Sequence, residues 1–123
     1  MMLNKTYLPK LKEDKYEVVI SKWEHNVLEN GKEHVKVFFQ FPDREVKHVV
    51  FPSSLDYTIS NLRRKLGLEE ETLTAAEVLD AAVGVKLDVW VVYNKVNGTT
   101  YRNIQLHEPA PAVEDADVES VEV

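Results

Sequence analysis

The chain has 123 residues, 44% of them apolar, which suits one domain with a single hydrophobic core. It has no cysteine, which excludes disulfides, thiolate metal sites and a cysteine nucleophile, and points to a reducing, cytoplasmic setting. The net charge of −6 belongs to the C-terminal segment, because residues 108–123 hold six carboxylates and no base while residues 1–107 carry 15 charges of each sign. Within that neutral body Glu69, Glu70, Glu71, Glu77 and Asp80 cluster in one stretch, and the remainder is mildly basic, with 15 basic against 10 acidic residues. The longest apolar runs, such as residues 89–93, fall far short of the roughly 20 residues of a membrane span, and the N-terminus lacks an apolar signal stretch. A soluble, intracellular protein is expected.

Residues 1–14 show no sustained period and read as an irregular lead-in anchored by Tyr7 and Leu8. Tyr16, Val18 and Ile20 then alternate with Glu17, Val19 and Ser21, which predicts a first strand running on through Trp23 and His25. Asn30-Gly31 is a hairpin signal, followed by alternating Val35, Val37, Phe39 and Phe41. Pro42-Asp43-Arg44 makes a second turn into a third strand, with Val46, His48 and Val50 on one side and Lys47, Val49 and Phe51 on the other. Pro52-Ser53-Ser54 ends that strand. Ser54 is the expected N-cap of a helix whose apolar stripe, Leu55, Ile59, Leu62 and Leu66, stops at Gly67.

A shorter helix is predicted from a Thr74/Glu77 capping box, with Val78, Leu79 and Ala82 apolar and Gly84 at its end. Val85, Leu87, Val89, Val91 and Tyr93 form a fourth strand, and Asn97-Gly98 turns it into a fifth through Tyr101, Ile104 and Leu106. The segment after His107 is acidic and without period, so residues 108–123 are expected to be disordered and residues 1–107 to form the domain.

Three antiparallel strands, a helix and a two-stranded hairpin give an all-β class with one or two helices, in the order of a five-stranded Greek-key barrel. Over residues 16–107 the chain resembles an OB-fold. With its acidic C-terminal segment it is similar to the single-stranded DNA-binding proteins of bacteria and, more closely in size, of their phages. The first strand, residues 15–23, also resembles the opening of small phage proteins encoded among recombination genes. The resemblance implies a non-sequence-specific single-stranded DNA-binding protein of phage or mobile-element replication and recombination, self-associating, in the cytoplasm of a bacterial host.

Strand alternation indicates which side chains would meet such a ligand. If Val35, Val37, Phe39 and Phe41 point inward, Lys36 and Phe38 point outward, Lys47 leaves the third strand and Trp90 the fourth. Exposed aromatics stack on bases and cations neutralise phosphates without reading sequence. The candidate set is therefore the aromatics Trp23, Phe38, Trp90 and Tyr101 with Lys22, Lys36, Lys47, Lys95 and Arg102. Each has a plainer reading. Trp90 fits packing under a helix better than stacking, Phe38 fits a second small core beneath the lead-in equally well, and Trp23 and Tyr101 fit as ordinary barrel residues with a wet polar tip. Arg63, Arg64 and Lys65 fit the helix dipole better than a ligand, with the Glu69, Glu70, Glu71 run as their partner.

The acidic segment resembles the tails that recruit replication and repair enzymes, but it ends Val121-Glu122-Val123 without the aromatic tip of the bacterial pattern. No enzyme motif is present: the four histidines are scattered, no Gly-x-Ser-x-Gly elbow or glycine-rich phosphate loop occurs, and His48 reads as a core residue rather than a metal ligand. No cofactor, metal or catalytic activity is expected. The competing reading is a protein-interaction module of phage or mobile-element origin, whose exposed aromatics anchor another protein.

Overall fold

The computed structural model describes residues 2–109. Five strands, β1 (Asp14–Val27), β2 (Glu33–Gln40), β3 (Glu45–Val50), β4 (Lys86–Val96) and β5 (Thr99–Gln105), form one antiparallel sheet in the order β3-β2-β1-β4-β5. The sheet curls into a half-barrel. Between β3 and β4 lie two helices, α1 (Pro52–Leu66) and α2 (Ala75–Ala82). The predicted order of elements is thus present. The facing edges of β3 and β5 are not paired with each other, so the sheet stays open along that seam. No described helix is long and apolar enough to cross a membrane. The expected disordered segment lies, from Ala110 onward, outside the described residues.

The inner face of the sheet is aliphatic and aromatic. Val18 and Ile20 of β1, Val35, Val37 and Phe39 of β2, and Leu87, Val89 and Val91 of β4 are all buried. Leu62 of α1 and Val78, Leu79 and Ala82 of α2 close over them. Phe41, just beyond β2, is 1% exposed and packs edge-on to Tyr16 with ring centroids 5.2 Å apart.

Local sequence accounts for the ends of the elements. Asn97 and Gly98 both adopt positive φ, +51° and +80°, as the two-residue turn between β4 and β5 requires. The first hairpin instead uses a longer loop, in which the Leu28 N–H donates to Lys32 O and the Gly31 N–H to Leu28 O. Helix α1 begins earlier than its serines suggested. Pro52 takes the first helical position with Phe51 before it, and no side chain caps the end, because proline presets the helical φ and brings no N–H that needs a partner. At its other end Gly67 is left-handed, and the Leu68 and Gly67 N–H groups donate back to the Arg63 and Arg64 carbonyls. The capping box of α2 forms as read, Thr74 and Glu77 each bonding the other's backbone N–H.

The lead-in is held by a different residue from those expected. Tyr7 is 79% exposed and Leu8 48%, whereas Leu11 is buried and its carbonyl accepts from the Tyr93 hydroxyl at 2.6 Å. Phe41→Ala is expected to lower the unfolding free energy by about 3–5 kcal/mol. Tyr7→Ala should change it by no more than about 0.5 kcal/mol. Urea unfolding midpoints check both, and a Tyr7→Ala midpoint as far below that of the unsubstituted chain as the Phe41→Ala midpoint would show that the lead-in carries stability after all.

Candidate nucleic-acid interface

The outward face of β1, β2 and β3 is set by an irregularity in β1. Ile20 pairs with Phe39 but Lys22 pairs with Phe38, so Ser21 is an extra residue that breaks the alternation. Before it the even-numbered residues Val18 and Ile20 face inward; after it Trp23 does, opposite Val37, while His25, opposite Val35 on the same side, stays exposed. Lys22 is thereby turned outward beside Phe38. Because Phe38 in turn pairs with Lys47, three adjacent strands carry the row Lys22, Phe38, Lys47.

Phe38 is half-buried, and the Lys22 ammonium lies 4.6 Å from its ring centroid. Lys47 on its other side is exposed. The next row along the same face is Glu24, Lys36 and Val49. Glu24 approaches the Lys22 ammonium at 3.5 Å, and Glu45 accepts from the Ser21 hydroxyl at 2.7 Å, so two carboxylates border the lysines. One flat aromatic between two point cations is an arrangement that suits a stacked ring and flanking anions.

The remaining candidates are placed elsewhere. Trp23 lies on the inner side, packed against the core, and its indole N–H donates to the Asp80 carboxylate of α2 at 2.8 Å. Single-step alternation does not reveal this, because the bulge inverts it. Trp90 does face outward, paired with Lys15 and Gln105, and it is half-buried. The ammonium of Lys15 is 5.7 Å from its ring centroid and that of Lys65 on α1 is 5.4 Å away. Helix α1 therefore reaches this indole through a lysine. Along β1, Lys15 and Lys22 are separated by roughly 20 Å at about 3.3 Å per residue, so Trp90 and Phe38 are separate platforms. Lys95, Tyr101 and Arg102 occupy the β4–β5 hairpin, with Tyr101 56% exposed.

The basic triplet of α1 is used within the fold. Arg63 donates to the carbonyls of Glu69 and Glu71 at 2.7 and 2.8 Å, and Arg64 bonds Asn61. The acidic run is met, but chiefly through its backbone.

Beyond the β3 edge is a cleft of about 400 Å³ between β3, α1 and β5. Sequence reading missed it because its walls come from three distant elements; the one available signal was the polar succession Ser54, Thr58 and Asn61 at helical spacing on α1. His48 lines it from the inner side of β3, its ring tilted against Phe39 at 6.3 Å. Burial pushes the His48 imidazole below its ordinary value of 6.5, and the nearby charge of Arg102 pushes the same way. No protein-family model matches the chain, and no curated protein is detectably similar to it.

A histidine held neutral in the fold binds its proton less readily than in the unfolded chain. Its contribution to stability is complete above the ordinary imidazole value and is lost as pH falls below it. The melting temperature should drop between about pH 7.5 and about pH 5, and drop less in His48→Leu. Parallel losses in the two proteins would assign the acid sensitivity to other groups.

Proposed function

We propose that this chain is an OB-fold protein that binds single-stranded DNA without sequence preference, in the cytoplasm of a bacterial cell hosting a phage or mobile element. The observation that carries the reading is the Lys22, Phe38, Lys47 row on three neighbouring strands. OB-folds use the face of strands 2 and 3 together with the flanking loops for oligonucleotides. Here that face offers Phe38 for a base and lysines for phosphates, while Lys95, Tyr101 and Arg102 on the β4–β5 hairpin extend it. Trp90, between Lys15 and Lys65, is a second stacking platform on the path of a longer strand. Lysine suits this task, being a compact point charge that neutralises a phosphate without demanding one geometry.

The unpaired edges of β3 and β5 give two copies a means of pairing, and the acidic residues of segment 108–123 compete with DNA for the body's cations. The same segment is the proposed contact for replication or recombination proteins.

Titration of the full-length chain into fluorescein-labelled oligo-dT, followed by anisotropy, tests the reading. Base stacking is worth about 1–3 kcal/mol, so Phe38→Ala should weaken binding about 5- to 150-fold. Phosphate contacts from Lys22, Lys36 and Lys47 at about −0.7 each predict a slope near −2 for log affinity against log salt. Lys47→Gln should make that slope shallower by about 0.7. Replacing the six carboxylates of 108–123 by amides should tighten binding. Absence of binding at low salt by a folded chain would overturn the reading and leave the protein-interaction module.

A further inference from the structure

We infer that the N-terminal arm of one copy, residues 2–10, docks into an apolar groove on a second copy. The inference goes beyond the single-strand reading and does not depend on it. The groove is a recess of about 360 Å³ among Trp23 of β1, Val35 of β2, Val50 of β3, Leu55 of α1, and Ala76 and Leu79 of α2. Phe51, next to the groove residue Pro52, is 58% exposed, and its ring lies 6.2 Å from that of His34. Val27 and Leu28, at and just past the end of β1, are exposed as well. Large apolar side chains exposed around an apolar recess mark a surface that another chain covers.

The same chain carries a matching segment. Leu3, Tyr7 and Leu8 of the arm are all exposed, so their own domain leaves them uncovered. Charge matches too. Residues 2–12 hold Lys5, Lys10 and Lys12 and no acid. Glu33 is the one Asp, Glu, Lys or Arg among the described residues lining the groove. Residues 66–85, which include the α2 wall, hold Glu69, Glu70, Glu71, Glu77 and Asp80 and no base. Lys10 stays on its own domain, 4.0 Å from the Tyr93 ring centroid, whereas Lys5 travels with the arm, 5.2 Å from that of Tyr7. An apolar strip with a cation beside it thus meets an apolar recess with an acidic wall, and tyrosine is a common anchor of such contacts.

Reach decides that the groove belongs to a second copy. The arm is rooted at Leu11, which is buried and accepts from the Tyr93 hydroxyl at 2.6 Å, just ahead of the start of β1. Tyr7 lies four residues before that root, so it extends at most about 14 Å from it. Trp23 stands nine residues along β1 from Asp14, roughly 30 Å of strand in the opposite direction. Tyr7 and Leu8 therefore do not reach their own groove. Because arm and groove are different surfaces, the contact is exchanged reciprocally in a dimer or repeats head to tail. It leaves the edges of β3 and β5 unused.

The absence of cysteine makes the test direct. Thr6→Cys in the full-length chain gives one thiol for a nitroxide, and this copy, without ¹⁵N, is mixed with ¹⁵N-labelled unsubstituted chain, so that line broadening reports contacts between copies alone. The expected result is concentration-dependent broadening of the Trp23 indole and of the Ala75 and Ala76 amides. In sedimentation velocity, Tyr7→Ser should weaken self-association about thirtyfold, the scale of an interface anchor. Ala76→Arg, which sets bulk and a cation at the groove, should do the same. Both positions are exposed, so the fold is kept. Mixing the two variants should restore association, since one retains its groove and the other its arm. A chain that stays monomeric at every concentration overturns the inference. So does association that neither variant weakens, or broadening confined to β3 and β5, which would assign self-association to the sheet edges. Groove broadening that persists when label and ¹⁵N share one chain, diluted in excess unlabelled chain, would place the arm in its own groove and overturn the second copy. None of these outcomes involves oligo-dT, whose titration decides the single-strand reading separately.

Discussion

One extra residue in the central strand decides what each face of this sheet carries. Strand β1 pairs with both β2 and β4, so the bulge at Ser21 changes the side-chain parity of half the molecule's longest strand. Because the two residues after it are inverted, Trp23 enters the core and Lys22 meets Phe38. The bulge also affects the backbone: Ile20 O accepts from the Gly84 N–H at 2.9 Å, beyond the end of α2. Together with the indole bond to Asp80 this fastens α2 over the open end of the inner face. A straight β1 would place the indole in solvent and a lysine ammonium against Val37, a charge buried without a partner. Ser21 itself is held there, its hydroxyl within 2.7 Å of the Glu45 carboxylate and 3.3 Å of the Phe38 carbonyl.

The cations divide by type. Three of the four arginines build the fold: Arg63 donates to the carbonyls of Leu68, Glu69 and Glu71 just beyond α1, Arg64 bonds Asn61, and Arg44 grips Asp43 through two bonds of 3.0 Å in the turn before β3. That grip holds the Asp43 carboxyl below its usual range. A planar fork with several donors is suited to fixed geometry. Lysines instead stand over aromatic faces, at Phe38, Trp90 and Tyr93. In the proposed single-strand reading, a base that takes the place of an ammonium on a ring and leaves it to a phosphate exchanges one electrostatic partner for another.

How much of this was legible follows from the range of each interaction. Capping by Thr74 and Glu77, the Asn97-Gly98 turn and the stop at Gly67 are local, and the residues that make them are adjacent in the chain. Outward placement of Lys36, Phe38, Lys47 and Trp90 also read correctly, since β2, β3 and β4 alternate without interruption. Trp23 did not, because a bulge is a property of two strands together and β1 alone shows only continued alternation. Leu11 was overlooked for Tyr7 and Leu8 for a similar reason: what buries it is Tyr93, 82 residues away. Lys15 and Lys65 around Trp90 come from a strand and a helix that nothing in their local sequence relates.

The open seam is the costliest choice in the architecture, and it is managed. Unpaired edges of β3 and β5 invite pairing with other chains. Strand β3 is short, six residues, and presents Lys47 and Glu45 to water; β5 presents Arg102. One end of the gap is fastened by the Tyr57 hydroxyl, 2.8 Å from Nδ1 of His107, with the two rings edge to face at 5.4 Å. Closing the barrel by direct β3–β5 bonds would satisfy those edges but would remove the cleft that His48 lines. The fold forgoes those ladder bonds, which individually contribute about 1 kcal/mol net, and keeps instead a neutral polar recess at the end of its cationic row.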